Sequence, residues 1–206
     1  MGAEVALLCL SLAGALEPLV DAGTTPPAGL ALALGVQRHQ DEFGLIGKLI
    51  SPRFLDDHLA ISAGGGLGWY PDLRALPMNE EQQDYGAWAL YGHARLAIEA
   101  STGIALASGR IYASVGPSVM FLSESLSTTT LSLGVHGVAG VELFAGDAFQ
   151  AYPFSFYFEI GGTAHTAAAD KKSRIGADDA SVESQIDRPI GTGLALGGGL
   201  RVYLWQ

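Results

Sequence analysis

The sequence has very little cysteine, few basic residues and no long uninterrupted apolar run. Cys9 is the only cysteine, which excludes an intramolecular disulfide and a cysteine-rich metal cluster. Only 11 lysines and arginines stand against 21 acidic residues, and the resulting net charge of -10 argues against a nucleic acid partner. No window reaches the roughly 18 consecutive apolar residues that a membrane-spanning helix needs.

Hydrophobic residues are nevertheless abundant, at 49% of the 206 residues, and glycine occurs 28 times. The mean hydropathy of +0.28 is unusual for a protein of such acidity. The apolar residues are spread over segments in which they alternate with polar or small residues, which is the weak pattern that transmembrane β-barrels leave. The length suits one domain or one barrel.

The clearest alternation runs from Tyr85 to Glu99. One face of this segment is apolar and comprises Trp88, Leu90, Ala94, Leu96 and Ile98. The opposite face is polar or ionisable and comprises Tyr91, His93, Arg95 and Glu99. Soluble strands average about five or six residues, whereas a tilted strand needs roughly nine to eleven to cross a bilayer. The segment is therefore predicted to be a membrane-crossing strand with its polar face toward a lumen.

Seven further segments show the same period of two. The eight predicted strands cover residues 28–38, 43–54, 58–70, 85–99, 104–122, 128–145, 154–166 and 189–205. Adjacent apolar residues in 43–54 suggest a β-bulge, and a parity change in 104–122 suggests another near Ser108-Gly109, after a turn at Thr102-Gly103. The two longest connections, 71–84 and 167–188, fall at the end opposite the barrel termini, as in bacterial outer-membrane barrels. We predict an all-β fold, an eight-stranded antiparallel up-and-down transmembrane β-barrel over residues 28–206.

Residues 1–27 form a separate segment. The apolar run from Val5 to Ala15 ends in small residues, which is typical of a secretory leader or its remnant. Glu4 stands where a leader carries Lys or Arg, so an extra helix or strand is the alternative. Pro26 and Pro27 end whatever structure precedes them, because proline cannot donate to a ladder.

Aromatic residues are predicted to form a rim at each end of the barrel, as they do at membrane interfaces. The predicted outer rim consists of Phe43, Trp69, Trp88 and Phe121. The predicted inner rim consists of Phe144, Tyr152, Phe154 and Trp205.

The last predicted strand, GLALGGGLRVYLW, ends in an aromatic residue, and the chain from Ala28 to Trp205 resembles the small bacterial outer-membrane β-barrel proteins. That class contains the OmpA transmembrane domain, OmpX, OmpW and PagP, and its closing strand is read by the barrel assembly machinery. Gln206 after Trp205 departs from the class, whose members usually end on the aromatic itself. The resemblance implies a monomer located in the bacterial outer membrane and surrounded by its lipid.

Charged and histidine residues of inward parity make up the candidate site. This lumen polar network consists of His93, Arg95, Glu99, Arg110, His136, Glu142, Glu159 and Arg201. The interior of an eight-stranded barrel is just wide enough for its own side chains, so we expect the three arginines to pair with the three glutamates and block the lumen. A narrow pore lined by the same residues is the alternative.

Catalysis would have to involve a histidine, and the five are His39, His58, His93, His136 and His165. A lipid-modifying barrel needs its base at the outer rim, where His39 and His165 are expected. The His-x-Ser-Asn motif of lipid A deacylases is absent, so no catalytic residue is predicted. The glycine runs at 64–68 and 197–199 lack the strand-to-helix context of a nucleotide loop and are interpreted as packing.

Two predicted external loops carry acidic groups. These are Asp72, Glu80, Glu81 and Asp84 in one loop, and Asp170, Asp178, Asp179, Glu183 and Asp187 in the other. Such oxygen clusters can bind divalent cations or bridge them to lipopolysaccharide, but the spacing matches no calcium loop. We predict no metal site and no cofactor.

A structural or surface-interaction role through the external loops is the expected function. The alternatives left open are a narrow channel for small solutes, an outer-membrane lipid-modifying enzyme and a soluble ligand-binding barrel of lipocalin type. A lipocalin-type barrel would have an apolar inside and a polar outside. The membrane barrel instead requires that Leu90, Leu133, Phe156 and Leu200 face outward.

Overall fold

The computed structural model describes residues 29–39, 42–70, 89–106, 109–122, 129–144, 153–166, 172–175, 181–184 and 191–204. The strands in these ranges are β1 (Ala31–His39), β2 (Glu42–Ile50), β3 (Leu59–Tyr70), β4 (Ala89–Leu106), β5 (Gly109–Leu122), β6 (Leu131–Phe144), β7 (Phe154–His165), β8 (Lys172–Ile175), β9 (Ser181–Ser184) and β10 (Gly193–Tyr203).

Eight of the strands form a closed antiparallel barrel in the order β1-β10-β7-β6-β5-β4-β3-β2. Each barrel strand pairs with the next barrel strand along the chain, so that β7 pairs with β10, and β1 closes the barrel by pairing with β10. The predicted eight-stranded up-and-down barrel is therefore confirmed. β8 and β9 form a separate two-stranded sheet within the segment predicted only as a loop. Strands of four residues are too short for an alternation of polarity to reveal them.

The first predicted bulge is wrong. The register of β2 runs without interruption against both β1 and β3. Leu45 and Leu49 are about half exposed on the outer surface, whereas Ile46 and Ile50 are buried inside. The adjacent apolar residues thus face opposite sides of a regular strand, because part of the barrel interior is itself apolar.

The predicted turn at Thr102-Gly103 is also wrong, because β4 continues to Leu106. The register between β4 and β5 shifts between Ser101, which pairs with Tyr112, and Ala105, which pairs with Arg110. Between these two pairs, β4 advances by four residues and β5 by only two. The irregularity therefore lies in β4 rather than near Ser108-Gly109. The change of parity that the sequence shows falls between two strands, because Ile104 and Leu106 belong to β4, whereas Ile111 and the apolar residues after it belong to β5.

The outer surface of the barrel is apolar on every strand. Large apolar side chains that are between 49% and 60% exposed occur on all eight strands and include Leu34, Leu45, Leu67, Leu96, Phe121, Leu133, Phe158 and Leu194. Leu90, Phe156 and Leu200 face outward as well. Within the described residues, the structure contains no helix with the length and apolar character needed to cross a membrane.

Aromatic contacts occur near both ends of the barrel. The rings of Phe43 and Trp69 lie 5.2 Å apart between centroids at the end opposite the barrel termini, and those of Phe154 and Phe156 lie 5.7 Å apart at the other end. Phe144 was predicted in the inner rim, but it packs instead against a buried interior cluster because its parity matches that of Glu142. Three predicted rim members, Trp88, Tyr152 and Trp205, lie outside the described residues.

Candidate functional site

The regular register of the strands turns all eight residues of the lumen polar network toward the barrel interior. Six of them are buried to 6% exposure or less, namely His93, Glu99, Arg110, His136, Glu142 and Arg201. Arg95 and Glu159 are partly buried. The inward set is larger than predicted, because Gln37, His39, Glu42 and Lys48 also point inside.

A carboxylate–guanidinium cluster fills the half of the barrel nearer the barrel termini, where β1 begins and β10 ends. Its members are Arg53, Glu99, Arg110, Glu142 and Arg201. Arg201 Nη2 donates to Glu99 Oε2 at 3.1 Å, and Arg201 Nη1 donates to Glu142 Oε2 at 2.9 Å. β10, which carries Arg201, and β4, which carries Glu99, are opposite strands of the barrel. The ion pair therefore spans the lumen.

Glu142 is fully buried and accepts hydrogen bonds on both carboxylate oxygens. Arg110 Nε donates to Oε2 at 2.7 Å, alongside Arg201. Tyr203 donates its hydroxyl to Oε1 at 2.5 Å, and Ser155 donates to the same oxygen. Each lone-pair region of the carboxylate thus has a donor, which is the condition under which a buried charge is tolerated.

Arg53 joins the cluster from the turn between β2 and β3 and donates to Glu99. Sequence reasoning missed this residue because it lies beyond the end of β2, where strand parity no longer predicts the direction of a side chain. Three guanidinium groups therefore surround two carboxylates, rather than the equal numbers expected.

A second ion pair lies nearer the middle of the barrel. Lys48 Nζ donates to Glu159 Oε1 and Oε2 at 2.5 and 2.6 Å, and the Tyr112 hydroxyl donates to Oε1 at 3.0 Å. The ammonium also lies 5.2 Å from the centroid of the Tyr157 ring. Lys48 was missed because the bulge predicted in β2 left its direction undefined, and the uninterrupted alternation from Glu42 to Ile50 is the signal that could have found it.

The half of the barrel away from the termini holds a polar group rich in histidine. Gln37 Nε2 lies 3.2 Å from His93 Nε2, and Arg95 Nη2 lies 3.4 Å from His39 Nε2. Among the described residues, no carboxylate lies within ion-pair distance of Arg95. The expectation that every charge of the network pairs with another is therefore wrong for Arg95. Glu159, the remaining carboxylate of the network, forms its ion pair with Lys48 instead.

Glu42 belongs to this half of the barrel, although it was predicted to lie in an external connection. It is the first residue of β2 and accepts a hydrogen bond of 2.5 Å from the Tyr91 hydroxyl. It also accepts from the backbone N–H of Gly191, which has a φ of 65°. The backbone just before β10 is thereby attached to the barrel interior.

Ser118 and His165 have the spacing of a nucleophile and a base, with 3.1 Å between Oγ and Nε2. Ser118 is only 2% exposed, and His165 Nδ1 has no hydrogen-bond partner among the described residues to orient the ring. His39 is likewise buried beside Arg95. Both histidines therefore point into the barrel rather than onto its outer surface.

Glycines allow large inward side chains to cross the narrow lumen. A Cβ added to Gly140 would lie 2.5 Å from Tyr112 Cζ, and one added to Gly66 would lie 2.8 Å from His93 Cε1. Gly66, in the run at 64–68, thus leaves room for the His93 ring.

In the part of the chain that is described, no three His, Cys, Asp or Glu side chains are grouped to hold an ion. The acidic residues of the two predicted loops lie outside the described residues, apart from Glu183 in β9, whose side chain is not described.

No protein-family model and no curated protein matches this sequence. Among solved structures, the chain is similar to the N-terminal β-barrel domain of Pseudomonas aeruginosa OprF. The two are 12% identical, with a TM-score of 0.49, and the match covers 86% of this chain and 98% of the OprF domain.

Proposed function

We propose that this chain is an integral β-barrel of the bacterial outer membrane, with a lumen closed by buried ion pairs and a structural or surface-interaction role. The observation that carries the proposal is the inverted distribution of polarity. Leucine, isoleucine and phenylalanine cover the outside, while arginine, glutamate and histidine occupy the inside.

Water is a poor solvent for that outer surface. Monomeric soluble proteins rarely expose a contiguous apolar patch larger than a few hundred Å², and here every strand contributes to a band around the barrel. A bilayer accommodates such a band, and a closed barrel leaves no unpaired strand edge within it. A soluble barrel of lipocalin type would have the reverse distribution.

A closed lumen is favoured over a channel by the contacts that cross it. Arg201 bridges opposite strands, and Arg110 contacts Tyr203 three strands away around the barrel. An eight-stranded barrel has no width to spare beyond its side chains. With the lumen occupied, the connections at the end away from the termini are the part left to contact other molecules.

The membrane assignment is tested with a pair of matched variants. Ile160 faces outward near the middle of β7, and Leu204 faces outward just beyond the end of β10. In lipid vesicles, Ile160→Arg should lower the free energy of unfolding by about 2–4 kcal/mol, and Leu204→Arg by only about 0–1 kcal/mol, because the cost of a lipid-facing charge depends on depth.

The measurement is urea unfolding of vesicle-folded protein, followed by tryptophan fluorescence, together with partition between detergent and aqueous phases. Equal, negligible effects of the two substitutions, with the wild-type protein remaining in the aqueous phase, would rule out the membrane assignment.

A further inference from the structure

A small cavity of about 20 Å³ lies inside the barrel. Its polar lining comes from six strands and consists of Lys48, Ser62, Arg95, Ser114, His136 and Glu159. A cavity must have a volume of roughly 10–15 Å³ to hold one water molecule. This cavity therefore has room for a single water or a single small ion.

The charges around the cavity do not cancel. Two cations, Lys48 and Arg95, and one carboxylate, Glu159, line it. Both oxygens of Glu159 accept from Lys48, and Oε1 also accepts from Tyr112, so this carboxylate is already neutralised. Arg95 has its only hydrogen bond among the described residues with the His39 ring, and its buried Nε has none. One positive charge thus remains without a counter-charge.

The other polar groups of the lining include further hydrogen-bond donors. Ser62 and Ser114 are 6% and 7% exposed, and each brings a hydroxyl to the cavity. His136 is 6% exposed and also lines the cavity. Hydroxyl and guanidinium groups donate hydrogen bonds to anions, and a buried cation is unfavourable unless a counter-charge offsets it.

We propose that the cavity binds one small monovalent anion of the halide class, with Arg95 as the charge partner and Ser62 and Ser114 as further donors. Arg95 repels a metal cation, and a water molecule would leave its charge uncompensated. Phosphate and organic acids of greater size exceed the volume of the cavity.

The test uses the full chain folded from urea into detergent micelles, so that the anion can enter during folding. Sodium bromide is titrated against sodium gluconate at constant ionic strength, because gluconate is too large for the site. Once bromide exceeds its dissociation constant, each tenfold rise in its concentration should raise the ratio of folded to unfolded chain about tenfold. Arg95→Gln should abolish this dependence, whereas Arg38→Gln, which removes an outward-facing arginine, should preserve it.

Diffraction from crystals grown in bromide gives a second measurement that needs no variant. An anomalous bromine peak within the cavity is expected. The proposal is overturned if the cavity holds only water, if bromide and gluconate give the same folded fraction, or if Arg95→Gln responds to bromide as the wild-type protein does. Should Arg95→Gln fail to fold, Ser114→Ala takes its place and should weaken the response.

Discussion

Replacement of Glu142 by glutamine should be among the most damaging single changes in the barrel interior. The substitution keeps the volume of the side chain, so no cavity forms, but it removes one of the two carboxylates that neutralise Arg53, Arg110 and Arg201. It also places an amide where Ser155, Tyr203 and two guanidinium groups all donate. Arg110 and Arg201 each lose one carboxylate partner, and the amide N–H groups meet other donors.

The expected loss in the free energy of unfolding is about 3–5 kcal/mol, the range for removing one partner of a buried ion pair. A similar figure follows from electrostatics, since two charges about 4 Å apart interact by about 4 kcal/mol at an effective dielectric of about 20. The assay is urea unfolding in lipid vesicles, with Asp57→Asn as control. Asp57 lies in the exposed turn between β2 and β3, so its change should stay within about 0.5 kcal/mol.

A loss below about 1 kcal/mol for Glu142→Gln would refute the reasoning, because it would place the pair among hydrated surface ion pairs. The double variant Glu142→Gln/Arg110→Gln provides an internal check. If the two groups interact directly, the double variant should be less destabilised than the sum of the single variants by about 0.5–3 kcal/mol.

Three other predictions follow from the same interior. Gly66→Ala should lower the free energy of unfolding in urea by about 1–3 kcal/mol, because the new Cβ would clash with Leu45 and His93. The control is Gly47→Ala, which should leave that free energy unchanged, because the atom nearest to its added Cβ lies at 3.5 Å. Lys48→Gln should cost about 1.5–3 kcal/mol by removing the charged donor of Glu159, whereas Lys48→Arg should retain most of that stability. In planar bilayers the purified protein should give no discrete conductance steps, and steps that change in Glu142→Gln would show that the lumen conducts.

Much of the barrel was predictable because the direction of a side chain in a strand is a local property. Alternation with a period of two assigned the outward face of β4 and the inward face that carries His93, Arg95 and Glu99. It failed where the pattern was ambiguous: the paired apolar residues of β2 suggested a bulge that does not exist, and the real irregularity in β4 lies several residues from the expected position.

The sequence by itself therefore determined the number of barrel strands and many of the residues that line the inside, since both follow from polarity along a few consecutive residues. Only the tertiary structure decided which inward residues meet. Arg201 reaches Glu99 across the lumen, Glu159 pairs with Lys48, and Arg95 is left without a carboxylate among the described residues. These contacts depend on the stagger between neighbouring strands, summed around the closed barrel. The summed stagger sets the position of each strand along the barrel axis relative to strands with which it does not pair. No single segment of sequence encodes that position.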